Sequence, residues 1–480
     1  MLNVHAIPRA QPVAASPSQA IHKLPGELLV TIFWYCAVFD KPGYLQWTCV
    51  LAVCRRWRAV GLGCPSLWRT VCAFRNEDCA RTVLLRSKNM LLDIRITELN
   101  ARSLDAAKAL LEHASRAKKL SLHIPMSLAD VVRGTTAKIA AVPRLEQLHL
   151  VIDDDLRCGS ALPVGALFPC GLSSLTDLTM IITSNIGDLP LLPNLQRLGL
   201  QADPVVFGAE GCYVNLVSLL GVLASAPQLE ILHLSYLIPH VDSAILPNLP
   251  TINFQALRRL ELEGYASDIT KFGRYFTIPN SAQLNLDCHC STPDDIVAII
   301  QSLSALFYGL DSQGRREQRT LRSLSLAQIF DGFVIQGSTN EDDQFLPGQT
   351  NDDEGVGELC LKMMCDGWLA DESDMRLDRI TETLPLTEVR TLDVVGPEVN
   401  NFVVPGPLRR LVQAIAASAP DGEQTWNLPP AGTATDAEYL QVEKEWRKIF
   451  FELREIRWSS GSSSEGGLLE FDLEDNVMLS

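Results

Sequence analysis

What this sequence lacks narrows its function before any motif is considered. No stretch offers about 18 apolar residues without charge, so no membrane-spanning helix is expected. Positive charge is scarce: 41 Lys and Arg stand against 57 Asp and Glu, for a formal net charge of −16. A nucleic-acid partner would need a basic stripe to neutralise phosphates, so that class of function is set aside. There is no G-x-S-x-G, no Walker loop and no H-E-x-x-H, and the 8 histidines are dispersed. Cys288-His289-Cys290 concentrates soft ligands, but adjacent strand residues point to opposite faces and no second pair lies at zinc-site spacing. Cys360 and Cys365 fall on what reads as a helix, with no partner histidine. Asp153-Asp154-Asp155 reads as an acidic loop at a strand end rather than a cation site. Hence no catalytic residue, metal or cofactor is expected, and the chain reads as a non-enzyme.

The 13 cysteines lie mostly alone within apolar periodic segments, as at Cys36, Cys49, Cys54 and Cys72. Residues Met1 to Ala20, with Pro8, Pro12 and Pro17, read as a flexible leader without the apolar core of a signal peptide or the basic amphipathic pattern of a transit peptide. Together these features predict reduced, buried thiols in a cytoplasmic and/or nuclear protein.

What is present begins at Ile21. Leu28, Leu29, Ile32, Phe33 and Cys36 recur at helical spacing as one broad apolar face, with Pro25 in the first turn and Glu27 near the positive end of the helix dipole. After a break at Asp40 to Gly43, a second apolar segment from Leu45 to Cys54 leads into Arg55-Arg56-Trp57-Arg58, and the stretch closes on Leu67-Trp68. Three short helices with this many large apolar groups cannot cover them alone. Between Ile21 and Cys72, Lys23, Lys41, Arg55, Arg56, Arg58 and Arg69 outnumber Glu27 and Asp40, so a small basic head precedes a strongly acidic body.

This stretch resembles an F-box, through Leu24-Pro25-x-Glu27-Leu28-Leu29-x-x-Ile32-Phe33, then Val53-Cys54-Arg55-Arg56-Trp57-Arg58, then Pro65-x-Leu67-Trp68. The segment between Phe33 and Val53 departs from the usual pattern, in the manner of fungal F-box-like proteins. The resemblance implies an adaptor-binding surface made by Leu24, Pro25, Leu28, Leu29, Ile32, Phe33, Val53, Cys54, Trp57, Leu67 and Trp68. It implies as partners a Skp-type adaptor and, through it, a cullin.

Beyond the head an internal repeat appears, with the core Leu-x-x-Leu-x-Leu. Copies stand at Leu145, Leu148, Leu150; Leu175, Leu178, Met180; Leu195, Leu198, Leu200; Leu229, Leu232, Leu234; Leu257, Leu260, Leu262; and Leu321, Leu324, Leu326. Weaker copies are Leu284 with Leu286, Val389 with Leu392 and Val394, and Leu453 with Ile456 and Trp458. A short strand with inward leucines, followed by a returning helix, buries its apolar face only when copies stack. Helices are expected at Phe74 to Met90, Ser103 to Lys118, Val214 to Ser225 and Pro293 to Leu310.

The fold class expected is therefore α/β: a small three-helix F-box-like head, then an irregular leucine-rich-repeat solenoid with parallel strands on its concave side and helices outside. A compact α/β domain is the alternative. The expected domains are the leader at 1–20, the head at 21–72, repeats at 73–458 with insertions near 337–357 and 420–435, and a disordered acidic tail at 459–480. The function these features predict is substrate recognition for a Skp/cullin/F-box type ubiquitin ligase, holding an unidentified client protein on the repeats, with no nucleic-acid or membrane partner. The alternative is a leucine-rich-repeat scaffold whose head merely caps the repeats. Exposure discriminates the two, because docking requires Leu28, Phe33 and Trp57 to face solvent in part, whereas a cap buries them.

Overall fold

The structure, a computed structural model, describes residues 23–38, 46–72, 77–97, 99, 103–125, 128–136, 142–153, 172–182, 190–202, 216–238, 251–292, 294–296, 298–299, 301–302, 308–310, 316–318, 321, 323–329, 332–338, 359–365, 391–396 and 455–460. The expected leader, the 420–435 insertion, residues 339–357 of the acidic insertion and 461–480 of the tail lie outside them, as do Asp154, Asp155, Val389 and Leu453. The chain forms two compact units, Met1–Leu145 and Glu146–Ser480.

The first unit opens with helix α1 (Gly26–Val38), a 3-10 turn (Gln46–Ala52), α2 (Arg55–Gly63) and a second 3-10 turn (Pro65–Trp68). There follow β1 (Thr70–Cys72), α3 (Glu77–Arg86), β2 (Leu92–Ile96), α4 (Leu104–Leu111), β3 (Ala117–Pro125) and α5 (Ala129–Thr136). β1, β2 and β3 pair in parallel, and the intervening helices supply the crossovers that parallel pairing demands. α3 carries Glu77 and Asp78 in its first turn and Arg86 in its last, matching the helix dipole, and buries Ala80, Val83 and Leu84 at helical spacing. β3 buries Leu120, Leu122 and Ile124 in alternation.

One expectation shifts here. The helix predicted to Lys118 ends at Leu111, because Ala117 is already drawn into pairing with Leu92 of β2. β1, at the end of the head, pairs with β2 within the first compact unit.

The second unit runs β4 (Gln147–Asp153), β5 (Asp177–Ile182), β6 (Arg197–Ala202), α6 (Leu216–Ser225), β7 (Ile231–Ser235), β8 (Ile252–Asn253), β9 (Arg259–Tyr265), α7 (Ala266–Phe272), β10 (Phe276–Thr277) and β11 (Gln283–Cys290). It continues with β12 (Tyr308–Leu310), β13 (Arg316–Gln318), β14 (Ser323–Ile329), β15 (Gly332–Ser338), β16 (Leu359–Cys365), β17 (Thr391–Gly396) and β18 (Glu455–Ser460). A large, mostly parallel sheet orders these as β4-β5-β6-β7-β9-β11-β16-β15-β14-β17-β18, while β8 with β10 and β12 with β13 form small separate pairs.

Register makes the leucines into rows. Leu148, Leu178, Leu198, Leu232, Leu260, Leu284 and Leu359 are successive cross-strand partners, and all are buried. The turn before each strand also recurs: Leu175, Leu195 and Leu229 each donate a backbone N–H to the carbonyl three residues earlier. The next residue bonds across to the preceding strand, as Thr176 to Glu146, Gln196 to Thr176, Glu230 to Gln196 and Arg258 to Glu230. These bonds satisfy backbone groups that burial would otherwise leave unpaired.

The sequential parallel order breaks after β11. β15 runs antiparallel to both β14 and β16. Only two residues link β14 to β15, too few for a parallel crossover and the length of a hairpin connection. This corrects two sequence readings. Gly337 and Ser338 belong to β15 rather than to an aperiodic insertion, and Cys360 and Cys365 lie on a strand rather than a helix. The strand β18 likewise extends through Ser459 and Ser460.

Candidate functional site

α1 is apolar on nearly every side, so its packing rather than its periodicity selects the inner face. Leu29 and Phe33, one turn apart, are both buried. The Phe33 ring lies 5.3 Å from that of Trp57 on α2. Cys54 caps α2 by accepting the Trp57 backbone N–H at 3.4 Å, and Arg58 Nε donates to Leu51 O at 3.0 Å. Arg56 donates to Leu24 O and ties α2 back to the start of α1. Trp68 is buried, donates its indole N–H to Gly61 O at 2.9 Å, and stands edge-on to Trp47 at 5.0 Å. Gly61 leaves room for the Leu51 side chain, which a Cβ there would meet at 2.2 Å.

The residues expected to form one docking surface therefore divide. Leu29, Phe33, Leu67 and Trp68 are buried in the core of the head. Leu24, Cys54 and Trp57 are half-buried, and the Trp57 indole nitrogen is enclosed without a hydrogen-bond partner. Pro25, Leu28, Ile32 and Val53 are exposed, Leu28 at 50% and Val53 at 58%. Of the three residues whose exposure was to discriminate docking from capping, Leu28 and Trp57 keep solvent contact and Phe33 has none. Cys36, placed on the broad apolar face by spacing and expected to be a buried thiol, is exposed instead.

The sequence reading missed two members of the outer stripe. Tyr35 continues the spacing of Leu28 and Ile32, and Trp34 stacks edge-on to it at 5.4 Å; both are about half exposed. The signal was present, since 28, 32 and 35 are helical neighbours, but the same helix offers an equally apolar stripe at 29 and 33.

Residues 21–73 match the F-box-like family model. The chain thus carries an F-box-like domain, whose members generally bind Skp-type adaptors. Among curated proteins, none matches the chain. In the F-box-like head, the exposed apolar stripe is the feature free to meet another protein, since solvated Leu, Ile, Trp, Tyr and Val side chains gain from burial.

In the second unit the face opposite the leucine rows is polar. His233 of β7 donates Nδ1–H to Glu261 of β9 at 2.6 Å, which holds the Glu261 carboxyl below its usual range despite burial. One row further along, Ser235 donates to Glu263 at 2.6 Å, and Lys362 pairs with Asp287 at 2.5 Å. Where β7, β9 and β11 end, Tyr236 and Tyr265 flank the His289 ring at 5.7 and 6.3 Å. Burial, reinforced by Glu263 and Asp287, keeps the Tyr236 hydroxyl protonated well above the ordinary phenol range. His289 lies on this face while Cys288 and Cys290 are buried on the other, so the Cys-His-Cys run does not converge. Among the described residues, no group of three or more His, Cys, Asp or Glu side chains is placed to hold a metal.

Proposed function

We propose that this protein is the substrate-recognition subunit of a Skp/cullin/F-box type ubiquitin ligase in the cytoplasm and/or nucleus. The reading rests on one observation above all: a domain matching the F-box-like model presents Leu28, Ile32, Tyr35 and Val53 to solvent while a separate set of apolar side chains fills its core. A cap built only to close a repeat array has no use for a second apolar stripe. The adaptor covers that stripe, and through the adaptor the chain reaches a cullin.

The second unit we read as a degenerate leucine-rich-repeat body. The recurring turn bonds and the in-register leucine rows support repeats, and the hairpin at β14–β15 marks where their rhythm fails. Its polar sheet face, with aromatic rings at the strand ends, is the surface assigned to the client. The chain contributes no bond-making chemistry in this reading; it raises the effective concentration of a client lysine near a conjugating enzyme.

Co-purification of the full chain with its host's Skp-type adaptor tests the reading. Wild type forms a stable complex, and Leu28→Asp combined with Val53→Asp abolishes it while the circular dichroism spectrum is unchanged. A folded wild type that forms no complex sinks the proposal and leaves a repeat-protein scaffold.

A further inference from the structure

Between the 3-10 turn Gln46–Ala52, α2 and α3 lies an open groove of about 400 Å³. Arg58 and Arg86 line it, together with Leu51, Val83, Trp68 and the rim residue Thr82, and no acidic side chain does. Arg58 donates to the backbone carbonyl of Leu51, and Arg86 lies over the Trp68 ring at 4.4 Å. Among the described residues neither guanidinium meets a carboxylate. Three other cations of this unit do, as Arg81 pairs with Glu77, Arg95 with Asp93 and Lys108 with Asp105, while Arg116 donates to the Ser87 hydroxyl and the Met90 carbonyl. Two guanidiniums with no carboxylate beside them among the described residues repel each other on one groove, and the groove is far larger than a single inorganic anion. Its size suits several side chains.

We propose that this groove binds an acidic segment of a partner protein, with carboxylates on Arg58 and Arg86 and an intervening apolar side chain against Leu51. Guanidiniums suit carboxylates through paired N–H donors, and the Trp68 ring beneath Arg86 holds one of them in place. The groove shares no exposed side chain with the stripe of Leu28, Ile32, Tyr35 and Val53, and its test contains no adaptor.

The test is fluorescence anisotropy of the full chain with a labelled Glu-Leu-Glu-Leu-Glu peptide, against its Gln-Leu-Gln-Leu-Gln counterpart. The acidic peptide binds and the neutral one does not. Arg58→Gln and Arg86→Gln each weaken binding about three- to tenfold, as loss of one partly exposed charge contact implies. Thr82→Glu at the exposed rim weakens it without touching the core, so a result survives even if an arginine variant misfolds. Arg81→Gln, which removes the same charge from the same helix outside the groove, leaves affinity unchanged. The proposal is overturned if wild type does not bind, or if Arg81→Gln weakens binding as much as Arg86→Gln. Displacement of the peptide by an equal concentration of inorganic phosphate also overturns it, since the groove is then a site for an adventitious ion only.

Discussion

Leu28 and Phe33 belong to the same helix and were expected to share one face, yet their burial differs completely, at 50% and 0% exposure. Replacing each by alanine separates core from surface. Phe33→Ala removes a fully buried ring and its contact with Trp57, and a substitution of that type costs about 3–5 kcal/mol. Leu28→Ala removes a side chain that is already half hydrated, so its cost is about 1 kcal/mol or less, part of it regained through the better helix propensity of alanine. Hydrogen–deuterium exchange of the α1 amides, read by mass spectrometry on the full chain, reports this difference locally. In the regime where opening is at equilibrium, 3 kcal/mol accelerates exchange by about a hundredfold, and 1 kcal/mol by about fivefold. Under the proposed function, adaptor affinity falls for Leu28→Ala while the helix stays intact. Equal acceleration in both variants, or a fast-exchanging Leu28→Ala beside a protected Phe33→Ala, refutes the assignment of inner and outer faces.

Two further outcomes follow from the second unit. The folded-state pKa of Glu261 is depressed because His233 donates to it, so the pair adds stability at pH above the ordinary glutamate range, and that increment disappears as pH falls through the depressed value. Urea melts across the acid range show this component in wild type and not in Glu261→Gln; identical acid limbs contradict it. Gly264 has φ of +152°, a conformation that side chains rarely adopt, although a Cβ there would meet nothing closer than the Tyr236 backbone at 3.9 Å. Gly264→Ala therefore costs about 1–3 kcal/mol through backbone strain alone, and an unchanged urea midpoint refutes that strain.

The sequence by itself determined the parts that depend on local pattern. Three spaced blocks marked residues 21–72, and alternating leucines marked the strands at 148–150, 178–180, 198–200, 232–234 and 260–262. Period-2 burial and helical capping are properties of neighbouring residues, so they are legible in one dimension. Tertiary structure alone decided which apolar side chains of α1 face inward, because a helix greasy on all sides has no periodicity to read, and contact with Trp57 settles the matter for Phe33. It decided that β16 lies between β15 and β11, since those pairing partners lie far apart in sequence, whereas the two-residue link fixes only that β15 runs back along β14. It also brought Arg58 and Arg86 to one groove and Tyr236, Tyr265 and His289 to one sheet end. Those groupings come from packing and register, which no local spacing encodes.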